Sequence, residues 1–262
     1  MAGRRASAGA ETAQQARVRF GLGLDGPVPD LLRVVEETAG VPVAVTALPA
    51  GLAGACIVKR GRSFIFVNAS EAVVRQRFTL AHELGHHELR HGSVLDTVQA
   101  LSDSRDPREI EANGFAAEFL APLQAIDNWI RANRSPAVDL EVVVRLAASF
   151  GISAQAARYR LEAARYLTRP AERRQLDEQI DRGEHLRLAR RLALDEMSDT
   201  LEAVQGRVPR LPAAMWRNAF GAYEAGLVTL DRLGEMLRRN PEELAAIVDE
   251  LGIAPASVEA DY

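Results

Sequence analysis

The sequence predicts an α+β protein, a small antiparallel sheet backed by helices and followed by an all-α C-terminal region. Three observations predict it. Three short runs rich in Val, Ile, Phe and Ala, at Val43–Leu48, Leu52–Val58 and Ser63–Asn68, follow one another with Gly-containing turns between them. A helical apolar period then takes over at Glu71–Arg90 and stops before Gly92. From Pro107 onward every apolar period is helical, and the chain is dominated by Ala, Leu, Val and Arg, residues that mostly enter helices at little cost.

In chain order, residues 1–15 are small and polar and predict a disordered tail. Pro29–Ala39 reads as a helix ended by Gly40, ahead of the three strands. Gly92–Asp106 is polar and turn-like, a loop or a lid. Pro107 opens a helix that Pro122 stops, and Leu123–Asn133 forms another. Leu140–Phe150, Gly151-Ile152 and Ser153–Leu167 spell helix, tight turn, helix, with Ser153 as N-cap. Arg169-Pro170 marks a boundary. Beyond it lie one or two charged helices over Ala171–Gln205, a hinge at Gly206–Pro212, and helices at Ala213–Ala225, Leu230–Arg239 and Glu242–Leu251.

The formal charge of −4 exerts no general pull on nucleic acid. It divides unevenly, at +2 over residues 1–170 and −6 over 171–262, which sets the last third apart as an acidic unit. The single cysteine, Cys56, excludes an intrachain disulfide and suits a small core position in a reducing cytoplasm. The N-terminus has arginines but no apolar stretch of the kind a secretory signal needs. Val41–Val58 carries no charge, but Pro42, Pro49, Gly51 and Gly54 divide it into strands, so no membrane span is expected.

The chemistry concentrates in Ala81–His87, AHELGHH. Residues four apart on a helix lie about 40° apart around its axis, so His82 and His86 face one way, one turn apart. Two imidazoles so placed can grip one Zn2+. Glu83 projects to the same side, near enough to act on water without occupying the metal. His87 and His91 fall about 140° and 180° away on the same wheel, so neither can share that metal on a regular helix. His91 reads as a surface residue near a helix C-terminus, and His87 as a residue that touches substrate or solvent.

A catalytic zinc keeps three protein donors and an open position. No third histidine follows at short spacing, so a carboxylate from the next helix is the natural third donor. Arg108–Pro122, REIEANGFAAEFLAP, offers Glu109, Glu111 and Glu118. The apolar stripe Ala112, Phe115, Ala116, Phe119, Leu123 leaves Glu109 and Glu111 on opposite shoulders. Only one can face the metal, and periodicity does not say which. Glu118 reads as the partner of an arginine or of water.

Arg77–His86, Glu111–Pro122, Asn68, the Pro49–Ala55 turn and Phe150–Ser153 together resemble the ImmA/IrrE-type metallopeptidases, over about Ala16 to Leu167. Phe119 and Ala121 depart from the usual pattern. The resemblance implies a zincin-like metallopeptidase domain over 16–138, with a helix-turn-helix-like extension packed on it over 139–169; it says little about 170–262, which charge and helical periodicity mark as an acidic helical C-terminal domain. It implies one Zn2+ per chain, which the same donors would exchange for Mn2+, held by His82, His86 and Glu111 with Glu83 as general base. It implies cleavage of a helix-turn-helix repressor, relieving transcriptional repression in a stress response or a mobile element. An exposed edge at Ser63–Asn68 would bind the substrate main chain through Ile65 and Val67, with His87 nearby.

Two other readings compete. The Arg-rich helix-turn-helix, with Arg145, Arg158, Arg160, Arg165 and Arg169, suggests a DNA-binding regulator, against which the acidic last third counts. A catalytically silent repressor-binding scaffold would have no use for Glu83.

Overall fold

A computed structural model describes residues 2–99, 105–134, 137–194, 210–250 and 252–253. In the first of its two units, helices pack on a four-stranded mixed sheet of β1 (Val43–Thr46), β2 (Leu52–Lys59), β3 (Arg62–Asn68) and β4 (Val94–Thr97), in the order β1-β3-β2-β4. β2 and β3 form a hairpin whose two-residue turn, Arg60-Gly61, has positive φ at both positions, as a tight hairpin turn requires. β1 lies on the far side of β3 and runs parallel to it. The sheet is therefore mixed, not antiparallel as the sequence predicts. The Asn68 side chain fixes that crossover, donating to the Leu52 carbonyl at 2.8 Å while its Oδ1 accepts from the Leu48 and Ser70 amides.

β4 comes from the segment expected to be a loop or lid. It adds to the free edge of β2, and its one buried residue is Asp96. A four-residue strand whose inward side chain is an aspartate carries no apolar alternation, so the sequence pattern cannot reveal it.

Helix α1 (Ala2–Arg19) occupies what the sequence predicts as a disordered tail. Its small residues serve close packing on α4 (Pro107–Leu120). A Cβ at Gly9 would lie 1.9 Å from the Glu111 carbonyl oxygen, and one at Gly114 2.3 Å from that of Ala6. The buried Arg17 guanidinium completes the joint with hydrogen bonds to the carbonyls of Gly23, Gly26 and Phe119. Asp30 caps α2 (Leu31–Arg33), which runs into a π-helical segment, Val34–Thr38. Helix α3 (Val73–Glu88) packs on β2, β3 and α4, and its Leu80, Ala81 and Leu84 enter the main core. Gly85 sits in α3 because a Cβ there would press on the Phe115 ring at 3.1 Å; the close neighbour is a side chain.

After α5 (Leu123–Asn133), the pair α6 (Leu140–Phe150) and α7 (Ala154–Ala163) forms the expected helix-turn-helix, with Gly151 left-handed at the turn and Ser153 capping α7. Arg77 of α3 is buried and donates to the Gly151 and Val28 carbonyls, tying the turn to the domain. Burial lowers its pKa to about 10. The arginines of α7 face inward: Arg158 pairs with Glu162 and Asp177, and Arg160 with Glu118.

Helices α8 (Pro170–Asp181) and α9 (Glu184–Arg191) belong to the same compact unit, since Leu176 and Ile180 of α8 join the main core. Among the described residues that unit runs through Leu194, beyond the boundary expected at 169–170. The rest of the expected Ala171–Gln205 helices, past Leu194, and most of the Gly206–Pro212 hinge fall outside the described residues. A second unit holds α10 (Ala213–Glu224), α11 (Leu230–Leu237) and α12 (Pro241–Glu250) around Ala219, Leu233, Leu237 and Leu244. Among the described residues no single helix is long and apolar enough to cross a membrane.

Because the α1–α4 contact leaves no room for a methyl group, Gly9→Ala and Gly114→Ala should each destabilise the protein by about 1–3 kcal/mol in chemical denaturation. Gly3→Ala, with no atom within 4 Å of its added Cβ, should not destabilise it.

Candidate active site

The face of α3 turned toward the sheet presents His82, Glu83 and His86, all fully buried. The two Nε2 atoms stand 2.9 Å apart. Glu109, from the first turn of α4, brings its carboxylate to 3.2 Å from His82 Nε2 and 3.5 Å from His86 Nε2. Asp96 of β4 places Oδ2 3.5 and 3.4 Å from the same two atoms. One donor atom from each of the four residues lies within 4.8 Å of all the others.

The outer partners fix the tautomers. His82 Nδ1 faces Asn113 Oδ1 at 3.0 Å, and an amide oxygen only accepts, so Nδ1 carries the proton. His86 Nδ1 faces His91 Nδ1 at 2.9 Å, and His91 Nε2 faces Glu111 Oε2 at 3.2 Å. The Glu111 carboxylate accepts a hydrogen bond from His91 Nε2–H, so neutral His91 has its lone pair on Nδ1, which accepts from His86 Nδ1–H. Burial, then the nearby His86, lowers the pKa of His91 and favours this neutral form. Both inner Nε2 atoms thus present lone pairs to one another and to two carboxylates. That arrangement is repulsive unless a cation lies among them, and two imidazoles with carboxylates suit a divalent metal.

Glu83 stands beside this group, and neither of its oxygens has a hydrogen-bond partner among the described residues. Burial pushes its pKa well above the ordinary carboxylate value, and the charges of Asp96 and Glu109 add to the shift. Burial also acts on Glu109, but positive charge on His82 and His86, were their rings protonated, would outweigh it and hold that carboxyl low. The backbone of β2 lies directly on Glu83: a Cβ at Gly54 would come within 2.5 Å of Oε1. Cys56, also on β2, is a buried free thiol raised to about 12 by burial and by Glu83.

Three expectations need correction. Glu111, the third donor implied by the resemblance, lies outside the group. It pairs with His91 and, at 3.1 Å, with Arg5 of α1. The shoulder that faces the histidines is that of Glu109. Ile65 and Val67 are core residues, and β3 is paired on both sides, so it offers no edge to a substrate. His87 is engaged with Ser63 at 2.8 Å. His91, expected at the surface, lies past the end of α3, where the helical wheel no longer applies, and folds back onto His86. Asp96 carried no sequence signal beyond its place in a polar segment.

A helix bearing two histidines and a glutamate behind a small sheet, with a carboxylate from a second helix, is the arrangement of a metallohydrolase centre. Residues 37–162 match the family model described as the IrrE N-terminal-like domain, so this part of the chain is similar to the ImmA/IrrE-type peptidases. No curated protein matches the chain.

The geometry separates the two glutamates experimentally. Glu109→Ala should abolish stoichiometric metal uptake, measured by plasma emission on the purified chain. Glu111→Ala should retain the metal with affinity weakened about 10- to 100-fold, the effect of removing an outer partner.

Proposed function

We propose that the protein is a zinc-dependent endopeptidase of the cytoplasm that cleaves a helix-turn-helix repressor and so relieves transcriptional repression. One observation carries the metal-dependent part: His82, His86 and Glu109 converge on one buried point with Glu83 beside it. The similarity to that peptidase family supports a protein substrate. The repressor as substrate, and a stress or mobile-element setting, rest on the resemblance of Arg77–His86 and Glu111–Pro122.

Bound by these donors, a divalent ion supplies Lewis acidity to the scissile carbonyl and acidifies the attacking water. The chain's own residues do the rest. His82 and His86 are held in their donor tautomers by Asn113 and by the His91–Glu111 pair. Glu83 takes a proton from the attacking water and delivers it to the leaving amine. A carboxylate so placed can both accept the proton and return it. Burial strengthens each of these electrostatic contacts.

The inward pairing of Arg158 and Arg160 favours a packing role for the helix-turn-helix over a grip on phosphate. Glu83→Gln is the test. It should keep one metal per chain and lose about 100-fold or more of the cleavage of a co-encoded repressor, read by gel and mass spectrometry. Full cleavage by Glu83→Gln, or no metal in the wild type, would reject the reading.

A further inference from the structure

The metal group is more complete than catalysis requires. Four donors in a regular tetrahedron with bonds of about 2.0–2.1 Å stand about 3.3–3.4 Å apart. Asp96 Oδ2 stands 3.5 and 3.4 Å from the His82 and His86 Nε2 atoms, Glu109 stands 3.2 Å from His82 through Oε2 and 3.5 Å from His86 through Oε1, and the two Nε2 atoms are 2.9 Å apart. Asp96 therefore occupies the corner that a catalytic site leaves to water and substrate. Its Oδ2 is buried, has no hydrogen-bond partner among the described residues, and points at the two Nε2 atoms. His82, Glu83 and His86 are fully buried, so no peptide reaches Glu83 while the fold stays as it is.

The element that supplies Asp96 is short and lightly buried. β4 is four residues long, meets β2 through an irregular register at Leu52/Gly54, and buries only Asp96 among its four side chains. Leu95 beside it is 64% exposed. Asp96 is paired with Gly54, the residue whose backbone lies on Glu83. An extended peptide on the β2 edge in place of β4 would carry its own main chain past Glu83. A purely structural four-donor site would have no use for Glu83, whose buried carboxylate has no hydrogen-bond partner among the described residues.

We propose that Asp96 is the fourth protein donor and that β4 is an inhibitory strand, which keeps the peptidase latent until a substrate strand displaces it from β2. This rests on the metallopeptidase reading above. Activation then needs no separate switch, because the substrate competes with β4 for one edge. It replaces the β3 edge that the sequence suggested and that the sheet order closes.

The test uses the full chain loaded with Co2+, whose visible absorption reports the donor set, and acetohydroxamate, a chelator that needs an open position. Wild type should bind one Co2+ per chain, and Asp96→Ala should bind it with a changed spectrum. Acetohydroxamate should bind Asp96→Ala at least about tenfold more tightly than wild type, since only the opened fraction of the wild type is competent. Asp96→Asn, which keeps the side-chain shape, should fall between the two. In wild type, saturating acetohydroxamate should speed hydrogen exchange of the Leu95–Val98 amides. Equal acetohydroxamate affinity in all three Co2+-loaded chains, with unchanged exchange at β4, would overturn this inference and leave the peptidase reading standing. A folded Asp96→Ala that holds no Co2+ would make Asp96 an indispensable ligand and also overturn it. Failure of the wild type to bind Co2+ would overturn both.

Discussion

Everything around the site answers one electrostatic demand: two imidazole nitrogens held 2.9 Å apart with their lone pairs inward, faced by buried carboxylates. Without a cation, that geometry costs free energy. It persists because each ring is over-determined from behind, His82 by Asn113 and His86 by His91. Those supports come from α4 and from the residues just past α3. The packing of α4 on α3 is thus as much a requirement of the site as the histidines are. The Phe115 ring against Gly85 and the α1–α4 glycine contact keep that packing in register.

The parts legible in the sequence were those governed by local periodicity. The period of four along α3 brings His82, Glu83 and His86 to one side, and the structure places them together. Gly151 and Ser153 announced the helix-turn-helix through backbone chemistry that local sequence encodes. The shoulder of α4 that faces α3 was not legible, because a helical wheel gives relative angles and not the partner's direction. The pairing of β1 was missed for a related reason. Adjacency along the chain suggests a β1–β2 hairpin, whereas β4 takes the second edge of β2 and β1 pairs with the far side of β3.

Two further misses share a physical cause, in that small or polar residues were read as disorder or loop. In α1, Gly9, Ala13 and Ala16 are small because a neighbouring helix is close. In β4, Asp96 is polar because it faces a polar centre. Composition scores both as surface. Only the three-dimensional neighbour gives such residues their meaning, and neither neighbour is near in sequence.

The tie from Arg5 to Glu111, and through His91 to His86, spans 106 residues. A chain emerging from the ribosome presents α1 long before α4 exists to receive it. The donors of the centre, from His82 to Glu109, likewise await the α4 segment. Assembly of the donor group is therefore a late event in biosynthesis, dependent on long-range closure and not on local helix formation. Nascent or truncated chains that stop short of α4 carry the two histidines without the means to orient them, which delays any hydrolytic capacity until the domain is whole.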